Sequence, residues 1–359
     1  MNSSPATAAN GAACSPMATL ESLGTPVEVT AIGRELKKLW SADQTRTRAT
    51  LFNFAIVCRG EDAMRANSEL LETFIGNHAF RAVLIGIEPS AEDSVQAWIN
   101  ARCYLPKAGA KHICSEQVSL YVRGNVRRLL PNLLFSQLDS DLPLTLLWRC
   151  DCPEQMDPEV WRWVDRLIFD TADWAHPRQQ IHALRHQLGN GRAVLCDLAW
   201  TRTLRLRQGL AQMFDTAENI AALYEMTAVR ICHAPGARSS AVLLLGWLAA
   251  QLGWSAHGHG GNHLRMDGAH GGIICDLVEQ KGEVISLMEL KSPRMTVTVT
   301  RAEGTALVHV ATRDVEGRTT EFVMPADSSS LADIVDTELT TSGLHRVYSK
   351  ALAACESLL

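Results

Sequence analysis

The sequence has no glycine-rich loop of the kind that holds nucleotide phosphates. None of its 24 glycines lies in a GxGxxG or GxxxxGKS/T pattern, in which backbone amides bind a pyrophosphate or a triphosphate. A nucleotide-binding domain is therefore not expected. The sequence predicts no cofactor.

Basic residues are missing from the amino-terminal segment. The first twenty or so residues carry no lysine or arginine and are rich in Asn, Ser, Ala and Thr. A secretory signal needs a basic start followed by an apolar stretch, and organelle transit peptides are rich in arginine. We therefore predict that residues 1–26 form a disordered tail and that the protein is cytoplasmic.

Long apolar runs and an excess of positive charge are absent as well. Residues 241–252 form an apolar run, but a membrane-spanning helix needs about 20 apolar residues, so this run predicts a buried helix. The formal net charge is -5, whereas general nucleic-acid binders have a basic field. Neither a membrane nor a nucleic acid is predicted as a partner.

What the sequence does contain is typical of a globular protein. Its 359 residues are enough for two domains of ordinary size. The ten cysteines are dispersed, and several lie inside apolar runs, which indicates buried thiols rather than a disulfide framework. This distribution favours a reducing compartment.

The first part of the chain alternates between helix and strand patterns. Helices are predicted where apolar residues recur at helical spacing, at residues 29–40, 61–76 and 125–138. Strands are predicted for the apolar runs at residues 51–58, 82–87, 95–104 and 113–122. This order predicts a mixed sheet with helices packed against it.

Residues 141–215 have the clearest pattern of predicted strands and helices in the chain. Residues 142–148 form an apolar run with a charge at each end, which predicts a strand buried on both faces. Asp157 as N-cap predicts a helix whose single apolar stripe runs through Ile168. After a connector rich in His and Gln, a second helix is predicted at residues 197–215.

Three arginines lie beside the apolar face of this second helix. Arg202 and Arg205 flank the face on one side and Arg207 flanks it on the other. In one interpretation their stems cover apolar surface. In the other interpretation the arginines form a basic rim around a docking face, or one guanidinium binds a carboxylate or phosphate through two hydrogen bonds.

The remainder of the chain predicts a second α/β domain. A strand at residues 228–232 precedes the helix at 241–252, with Ser239 or Ser240 as its cap, and strands separated by glycine turns follow. We predict the α/β (α+β) class, with two mixed-sheet domains at residues 27–174 and 175–359, the second mainly antiparallel. Both halves run from a strand to a helix and then to strands, which raises the hypothesis of an internal duplication.

Three small groups of residues could carry chemistry. His257, His259 and His263 are close in sequence, but their spacing matches no common zinc motif, and a solvated loop explains them equally well. Cys150 and Cys152 could be redox-active or inert thiols at a strand end. The third group is a possible Cys or Ser nucleophile at residues 114–117, which lacks a flanking glycine elbow and lies in a predicted strand.

Several ungapped strings of the chain are shared with a known family. They lie within residues 141–215 and at Gly246, Trp247 and Leu248, and further motif positions are Cys114, Ser115, Glu116, Gln117, Asp141 and Pro143. In these strings the chain resembles the OpcA family, the glucose-6-phosphate dehydrogenase assembly proteins, roughly from residue 27 onward. The resemblance implies no enzyme. It implies a protein that binds glucose-6-phosphate dehydrogenase and promotes its active oligomer.

The resemblance leads to an expected role and an expected docking face. We expect an activator in the oxidative pentose phosphate pathway, and some members of the family are thought to be redox-responsive. Aromatic and arginine anchors are typical of interfaces, and the expected face is Trp148, Trp161, Asp165, Arg166, Trp174, Trp200, Arg202 and Arg205. The alternatives are a metal- or thiol-dependent hydrolase that uses residues 257–270 or Cys114, and a redox-sensing adaptor gated by Cys150 or Cys152.

Overall fold

The computed structural model describes residues 20–41, 46–48, 50–89, 92–104, 112–125, 129–151, 158–188, 193–215, 217–257, 261–341 and 343–359. The chain divides into two compact units. The first consists of Met1–Leu51 and Cys58–Leu138, and the second of Phe52–Val57 and Asp139–Leu359. The predicted domain boundary between residues 174 and 175 stays a prediction.

The strands of the described chain, in order, are β1 (Thr25–Val27), β2 (Arg46–Arg48), β3 (Phe52–Arg59), β4 (Phe80–Glu88), β5 (Ser94–Tyr104), β6 (His112–Arg123), β7 (Leu144–Arg149), β8 (Val164–Phe169), β9 (Val194–Asp197), β10 (Ala228–His233), β11 (Ser255–His257), β12 (His263–Gly268), β13 (Gly271–Glu279), β14 (Ile285–Lys291), β15 (Met295–Thr300), β16 (Leu307–Asp314) and β17 (Thr319–Pro325).

The α-helices are α1 (Ile32–Ser41), α2 (Glu61–Phe74), α3 (Leu130–Phe135), α4 (Pro158–Trp163), α5 (Pro177–Leu188), α6 (Leu198–Thr201), α7 (Leu204–Gln212), α8 (Ala217–Tyr224), α9 (Arg238–Leu252), α10 (Leu331–Thr340) and α11 (Arg346–Cys355). Short 3-10 helices cover Glu21–Leu23, Val29–Ala31 and Glu356–Leu358.

The first unit is a mixed sheet with a helix packed on it. Its strands lie in the order β1-β5-β6-β4, with β2 beside the start of β6. β5 is antiparallel to both of its neighbours, whereas β4 and β2 are parallel to β6. Met64, Leu71 and Phe74 of α2 are buried, so the predicted apolar stripe of this helix forms part of the core.

The second unit contains a sheet with the order β3-β7-β8-β9, to which β3 contributes residues 52–57. β7 pairs with β8 and β8 with β9, both in parallel. Residues 144–148 of β7 are buried, which confirms the predicted strand and its burial on both faces.

Two helix predictions for residues 141–215 are wrong. The helix expected to run through Ile168 ends at Trp163, and residues 164–169 form β8. A buried parallel strand is a continuous apolar run, and such a short run fits helical spacing equally well. The helix predicted at residues 197–215 is split into α6 and α7 at Arg202 and Thr203. Asp157, the predicted N-cap, lies outside the described residues.

The second sheet of this unit has the order β11-β12-β13-β10-β14-β15-β16-β17. β10 is parallel to β13, and the other pairings are antiparallel. This confirms the predicted class, an α/β fold with mixed sheets of which the later one is mainly antiparallel. The duplication stays a hypothesis.

Helix α9 is apolar on every side, as a helix enclosed by its own protein is expected to be. Leu243, Leu244 and Leu245 are fully buried, and Gly253 ends the helix in the left-handed conformation with φ 68°. Ser239 and Ser240 do not cap it, because the helix begins at Arg238. Among the described residues, no helix combines the length and the apolar character that crossing a membrane requires.

Candidate functional site

A group of buried polar residues lies at the carboxyl ends of β8 and β9. Asp170 follows β8 directly and Asp197 is the last residue of β9. These parallel neighbours end at the same edge, where open α/β sheets commonly bind ligands. In this unit the edge is occupied by the protein's own side chains. The hydroxyls of Thr171 and Tyr348 both donate hydrogen bonds to Asp197 there. We call Asp170, Thr171, Asp197, Arg202 and Tyr348 the strand-end cluster.

Asp170 and Arg202 form a two-pronged ion pair in this cluster. The guanidinium donates from Nη1 to Oδ1 at 2.9 Å and from Nη2 to Oδ2 at 2.5 Å. Asp170 is 3% exposed. Burial works against the charge on Arg202, but the hydrogen bonds and the charge of Asp170 outweigh it and raise the pKa of Arg202. Arg202 therefore binds a carboxylate through two hydrogen bonds, and this carboxylate is Asp170 of the same unit.

Asp197 is the N-cap of α6 and is fully buried. It accepts hydrogen bonds from the backbone N–H groups of Thr171 and Ala199, at 3.2 and 3.0 Å. The hydroxyls of Thr171 and Tyr348 donate to its other oxygen, at 2.8 and 3.2 Å. Burial, with a smaller contribution from the charge of Asp170, nevertheless raises the pKa of Asp197 to about 7.

The raised pKa of Asp197 predicts a pH-dependent contribution to stability. Between the unfolded pKa of about 4 and the folded pKa of about 7, the folded chain holds a proton that the unfolded chain releases. The free energy of unfolding should therefore fall as pH rises through this window. In Asp197→Asn this contribution is absent, so the difference between the variant and the wild type should change from pH 4 to pH 7.

Denaturant titrations of both proteins at several pH values measure this difference. Asp141→Asn is the control, because Asp141 is exposed and its replacement should change the pH profile far less. A wild-type to Asp197→Asn difference that stays constant from pH 4 to pH 7 would show that Asp197 ionises at its ordinary pKa.

A second polar group lies beside the first. Arg166 of β8, Cys196 of β9, Glu338 of α10 and His345 supply it. Nε2 of His345 lies 3.1 Å from a carboxylate oxygen of Glu338. Burial opposes the charge on Glu338, but His345 and the hydroxyl of Thr201 outweigh it and hold the pKa of Glu338 below its ordinary value. We call this group the Glu338 cluster.

The Glu338 cluster has the donor types of a metal site. Ligand atoms of Cys196, Glu338 and His345 all lie within 4.8 Å of one another. However, Nη1 of Arg166 lies 3.0 Å from the sulfur, 3.4 Å from Nε2 of His345 and 3.7 Å from the carboxylate. Burial raises the pKa of Cys196, and the charge of Glu338 adds to this, so the sulfur is a thiol. The arrangement suits a guanidinium better than a metal ion.

The tryptophans of the expected docking face are core residues in the structure. Trp148, Trp161, Trp174 and Trp200 are each no more than 6% exposed. Trp148 packs near Trp161 with ring centroids 6.4 Å apart, and Trp174 stacks on Phe169 at 5.0 Å. Substitutions at these positions would change folding as well as any docking.

The charged residues of the expected face lie nearer the surface. Asp165 and Arg205 are exposed, whereas Arg166 and Arg202 are half-buried. Asp165 accepts a hydrogen bond from the backbone N–H of Leu144 at 2.8 Å. The structure therefore places the expected docking residues at different depths, and Arg205 is the exposed cation among them.

The family-motif residues of the first unit are buried in β6. Glu116 binds Nη1 of Arg81 at 2.8 Å and the indole N–H of Trp40 at 2.9 Å. Gln117 donates to the hydroxyl of Ser68 in α2 at 3.1 Å. Ser115 is 3% exposed. Glu116 and Gln117 thus hold neighbouring elements of their own unit.

The cysteines differ from the sequence prediction at one place. Cys114 forms a disulfide with Cys103, its partner across β5 and β6, so its sulfur is not available as the nucleophile of a thiol hydrolase. The predicted buried cysteines include Cys196, Cys232 and Cys355, which are buried. Sequence spacing alone does not show which residues face each other across two strands.

The remaining candidates lie at or near strand ends or outside the described residues. Cys150 is half-buried at the end of β7, and Cys152 lies outside the described residues. His257 ends β11, His259 lies outside the described residues, and His263 begins β12. His263 is exposed, and its Nδ1 lies 2.6 Å from Asp276. Asp141 and Pro143 are exposed before β7, where the Pro143 carbonyl accepts from the N–H of Asn53 at 2.8 Å.

Sequence reasoning missed most of the two clusters. Asp170 and Asp197 each follow an apolar run, and a polar residue directly after a buried strand is a signal that could have found them. Reading residues 164–168 as a helix hid this signal. Glu338, His345 and Tyr348 lie on or beside ordinary amphipathic helices, where no local pattern distinguishes them.

Two models of one protein family match the chain. The model described as the glucose-6-phosphate dehydrogenase subunit N-terminal domain matches residues 72–186. The model described as the C-terminal domain of the same subunit matches residues 193–352. Together the two matches take in more than half of the chain.

Among curated proteins, the chain is similar to OxPP cycle proteins named OpcA. It is 27% identical to the one from Synechocystis over 178 residues, which are 48% of this chain and 37% of that protein. It is 26% identical to the one from Nostoc punctiforme over 166 residues, 45% of this chain and 36% of that protein. The match thus spans little more than a third of the length of these relatives.

Solved structures give weaker likenesses. UDP-N-acetylglucosamine 3-dehydrogenase GnnA from Acidithiobacillus ferrooxidans has a TM-score of 0.43 and 9% identity, over 85% of this chain and 97% of that one. An aldose-aldose oxidoreductase from Caulobacter crescentus has a TM-score of 0.41 and 10% identity, over 86% and 91%. Likenesses of this size say nothing about what this chain binds or catalyses.

Proposed function

This chain belongs to the OpcA family, and from that premise we propose that it is a non-catalytic factor that binds glucose-6-phosphate dehydrogenase and promotes its active oligomer. The observation that carries the proposal is the pair of family matches, one in each half of the chain. By this action the factor would raise NADPH production in the oxidative pentose phosphate pathway. It would do so without chemistry of its own.

The physical mechanism of such activation is linkage. A bound factor shifts the partner's equilibrium toward the active oligomer only by the difference in its affinity for the two states. A coupling free energy of about 1.4 kcal/mol corresponds to a tenfold change in apparent affinity. The partner's apparent substrate requirement should therefore fall as the factor is added, and by reciprocity substrate should tighten the complex.

The polar clusters suit a scaffold for docking. The strand-end cluster is filled by its own unit, with a buried acid bound by an arginine and another bound by hydroxyl and amide donors. Such satisfied networks fix the position of neighbouring elements. Arg205, exposed on α7, is therefore held at a defined place and is our candidate anchor for an acidic surface of the partner.

Mixing the two purified proteins tests the proposal. We expect a larger species by size-exclusion chromatography and a lower apparent substrate requirement of the dehydrogenase, followed by NADPH formation. Arg205→Glu should weaken activation about tenfold, since reversal of an interface charge removes one pair and adds a repulsion. Lys281→Glu, the same change at an exposed turn position, should leave activation unchanged.

The possible outcomes test the proposed activating role and the proposed docking surface at Arg205 separately. Absence of both a complex and a change in NADPH formation with the wild-type chain would refute the proposed role. Activation by wild type that Arg205→Glu retains in full would move the docking surface elsewhere and leave the role standing. Circular dichroism of both variants confirms that folding is unaffected.

A further inference from the structure

The second unit contains a small pocket between α6–α7 and the segment that joins α10 to α11. Its volume is about 250 Å³. Apolar side chains supply part of its lining. The polar part includes the buried cation Arg207, and His345 and Arg346 lie nearer the surface. The residues used below are Trp200, Arg207, Leu344, His345 and Arg346. We call this the Arg207 pocket.

Arg207 is buried without a contacting acid. It is 8% exposed, and its guanidinium carbon lies 3.4 Å from the centroid of the Trp200 ring. Nε donates to the hydroxyl of Thr203 and Nη2 to the Trp200 carbonyl, both at 3.3 Å. A guanidinium has five N–H donors, so these two bonds leave donors unused, and no acid of the described chain lies within ion-pair distance.

Three other shielded arginines of the same unit have acid partners, whereas Arg238 binds, within the described chain, only the carbonyls of Leu358 and Gly261. Arg202 binds Asp170 at 2.5 Å and Arg301 binds Glu283 at 3.1 Å. Arg166 lies 3.7 Å from Glu338. A buried charge is costly unless it is paired, and burial lowers the pKa of Arg207 to about 9. Asp327 and Glu338 act on Arg207 only from beyond contact distance. Arg207 is thus a buried cation that no acid of the described unit contacts, and its pocket has room for an anion.

We propose that the Arg207 pocket binds a small organic anion, a carboxylate or a phosphomonoester, whose oxygens pair with Arg207 while its apolar part packs against Trp200 and Leu344. Carboxylate and phosphate both match the planar fork of a guanidinium. This inference rests on the pocket alone and is independent of the proposed partner.

The remaining lining residues fit an anion with an apolar part. Arg346, exposed on the rim, adds a second positive charge. Glu338 also lines the pocket, but its carboxylate already has neighbours of its own, with Nη1 of Arg166 at 3.7 Å and Nε2 of His345 at 3.1 Å. Leu344 is 65% exposed at this place, and a bound ligand would cover it, with a gain in free energy from the apolar area removed from water.

Calorimetric titration of the full chain tests the proposal. The probes are phenyl phosphate and benzoate, which present the two oxyanions on the same ring, with benzyl alcohol as the neutral control. We expect saturable binding of at least one anion and none of benzyl alcohol over the same concentration range. The tighter anion identifies the class of ligand.

Two variants and one control locate the binding. Arg207→Gln should weaken the anion at least tenfold, because it removes a charge-assisted bond in a shielded place. Arg346→Gln, at the exposed rim, should weaken it about threefold by loss of a charge. Lys350→Gln removes the same charge from an exposed position of α11 outside the pocket lining and should have no effect.

The outcomes decide the proposal even if Arg207→Gln fails to fold. In that case Arg346→Gln and Lys350→Gln, both at exposed positions, still separate the pocket from the general surface charge. The proposal is overturned by binding of neither anion, by equal binding of benzyl alcohol, or by equal losses in Arg346→Gln and Lys350→Gln. An unchanged affinity in a folded Arg207→Gln variant would overturn it as well.

Discussion

Replacing Arg202 with Met is expected to lower the free energy of unfolding by about 3–5 kcal/mol, because the Asp170 carboxylate is left buried without its charged partner. Asp170 is 3% exposed and would keep only the backbone N–H of Ala172, at 3.1 Å, among the bonds described for its side chain. Urea-induced unfolding followed by circular dichroism measures the loss.

The same substitution at Arg149 is the matched control. Arg149 pairs with Asp173 at 3.3 Å, and Asp173 is 57% exposed, so Arg149→Met should cost less than about 1 kcal/mol. In the double variant Arg202→Met with Asp170→Leu, apolar groups replace both charges, and much of the lost stability should return. Equal losses for Arg202→Met and Arg149→Met would show that Asp170 is hydrated in solution.

Gly246→Ala is expected to destabilise the second unit by about 1–3 kcal/mol through overpacking. A Cβ at this position would lie 2.4 Å from the carbonyl oxygen of Ala351 and 2.5 Å from the sulfur of Cys355. Both belong to α11, which packs closely on α9. Since a backbone oxygen cannot turn aside, the two helices would have to separate.

Gly33→Ala is the control for this prediction. Gly33 lies in α1, and a Cβ there meets nothing within 4 Å. The substitution should therefore stabilise the chain by about 0.4–1 kcal/mol, through the lower entropy of the unfolded state and the better helix propensity of alanine. The two Gly→Ala changes should thus shift the melting temperature in opposite directions. A gain at both positions would mean that α9 and α11 are not in close contact.

Most elements with a strong local pattern could be predicted from the sequence. The apolar stripe of α2 has a single consistent reading, and the structure confirms it. Apolar and polar residues alternate along β15, and its burial alternates with them. β8 could not be distinguished from a helix, because its apolar residues fit both periods. α5 and β9 fall in a stretch rich in His and Gln, where the apolar signal is weak.

The site was harder to predict than the fold. The sequence places Arg202 and Arg207 beside the apolar face of one predicted helix and leaves their roles open. These roles depend on Asp170 and on the Trp200 ring, which come within hydrogen-bond and stacking distance only in the folded chain. The disulfide is a similar case, because the register of β5 and β6 sets Cys103 opposite Cys114. Contacts between residues that are distant in sequence leave no periodic pattern from which they could be predicted.

The strand-end cluster and the Glu338 cluster both join residues that are synthesised far apart in time. Asp197 accepts a hydrogen bond from Tyr348, 151 positions later, and Arg166 meets His345, 179 positions later. At ribosomal rates of about 5–20 residues per second, 151 residues take roughly 8–30 s. During that time Asp197 has no Tyr348 to donate to it, and burial of its carboxylate is correspondingly costly. The nascent strands β8 and β9 should therefore stay accessible to chaperones until α11 has left the ribosome.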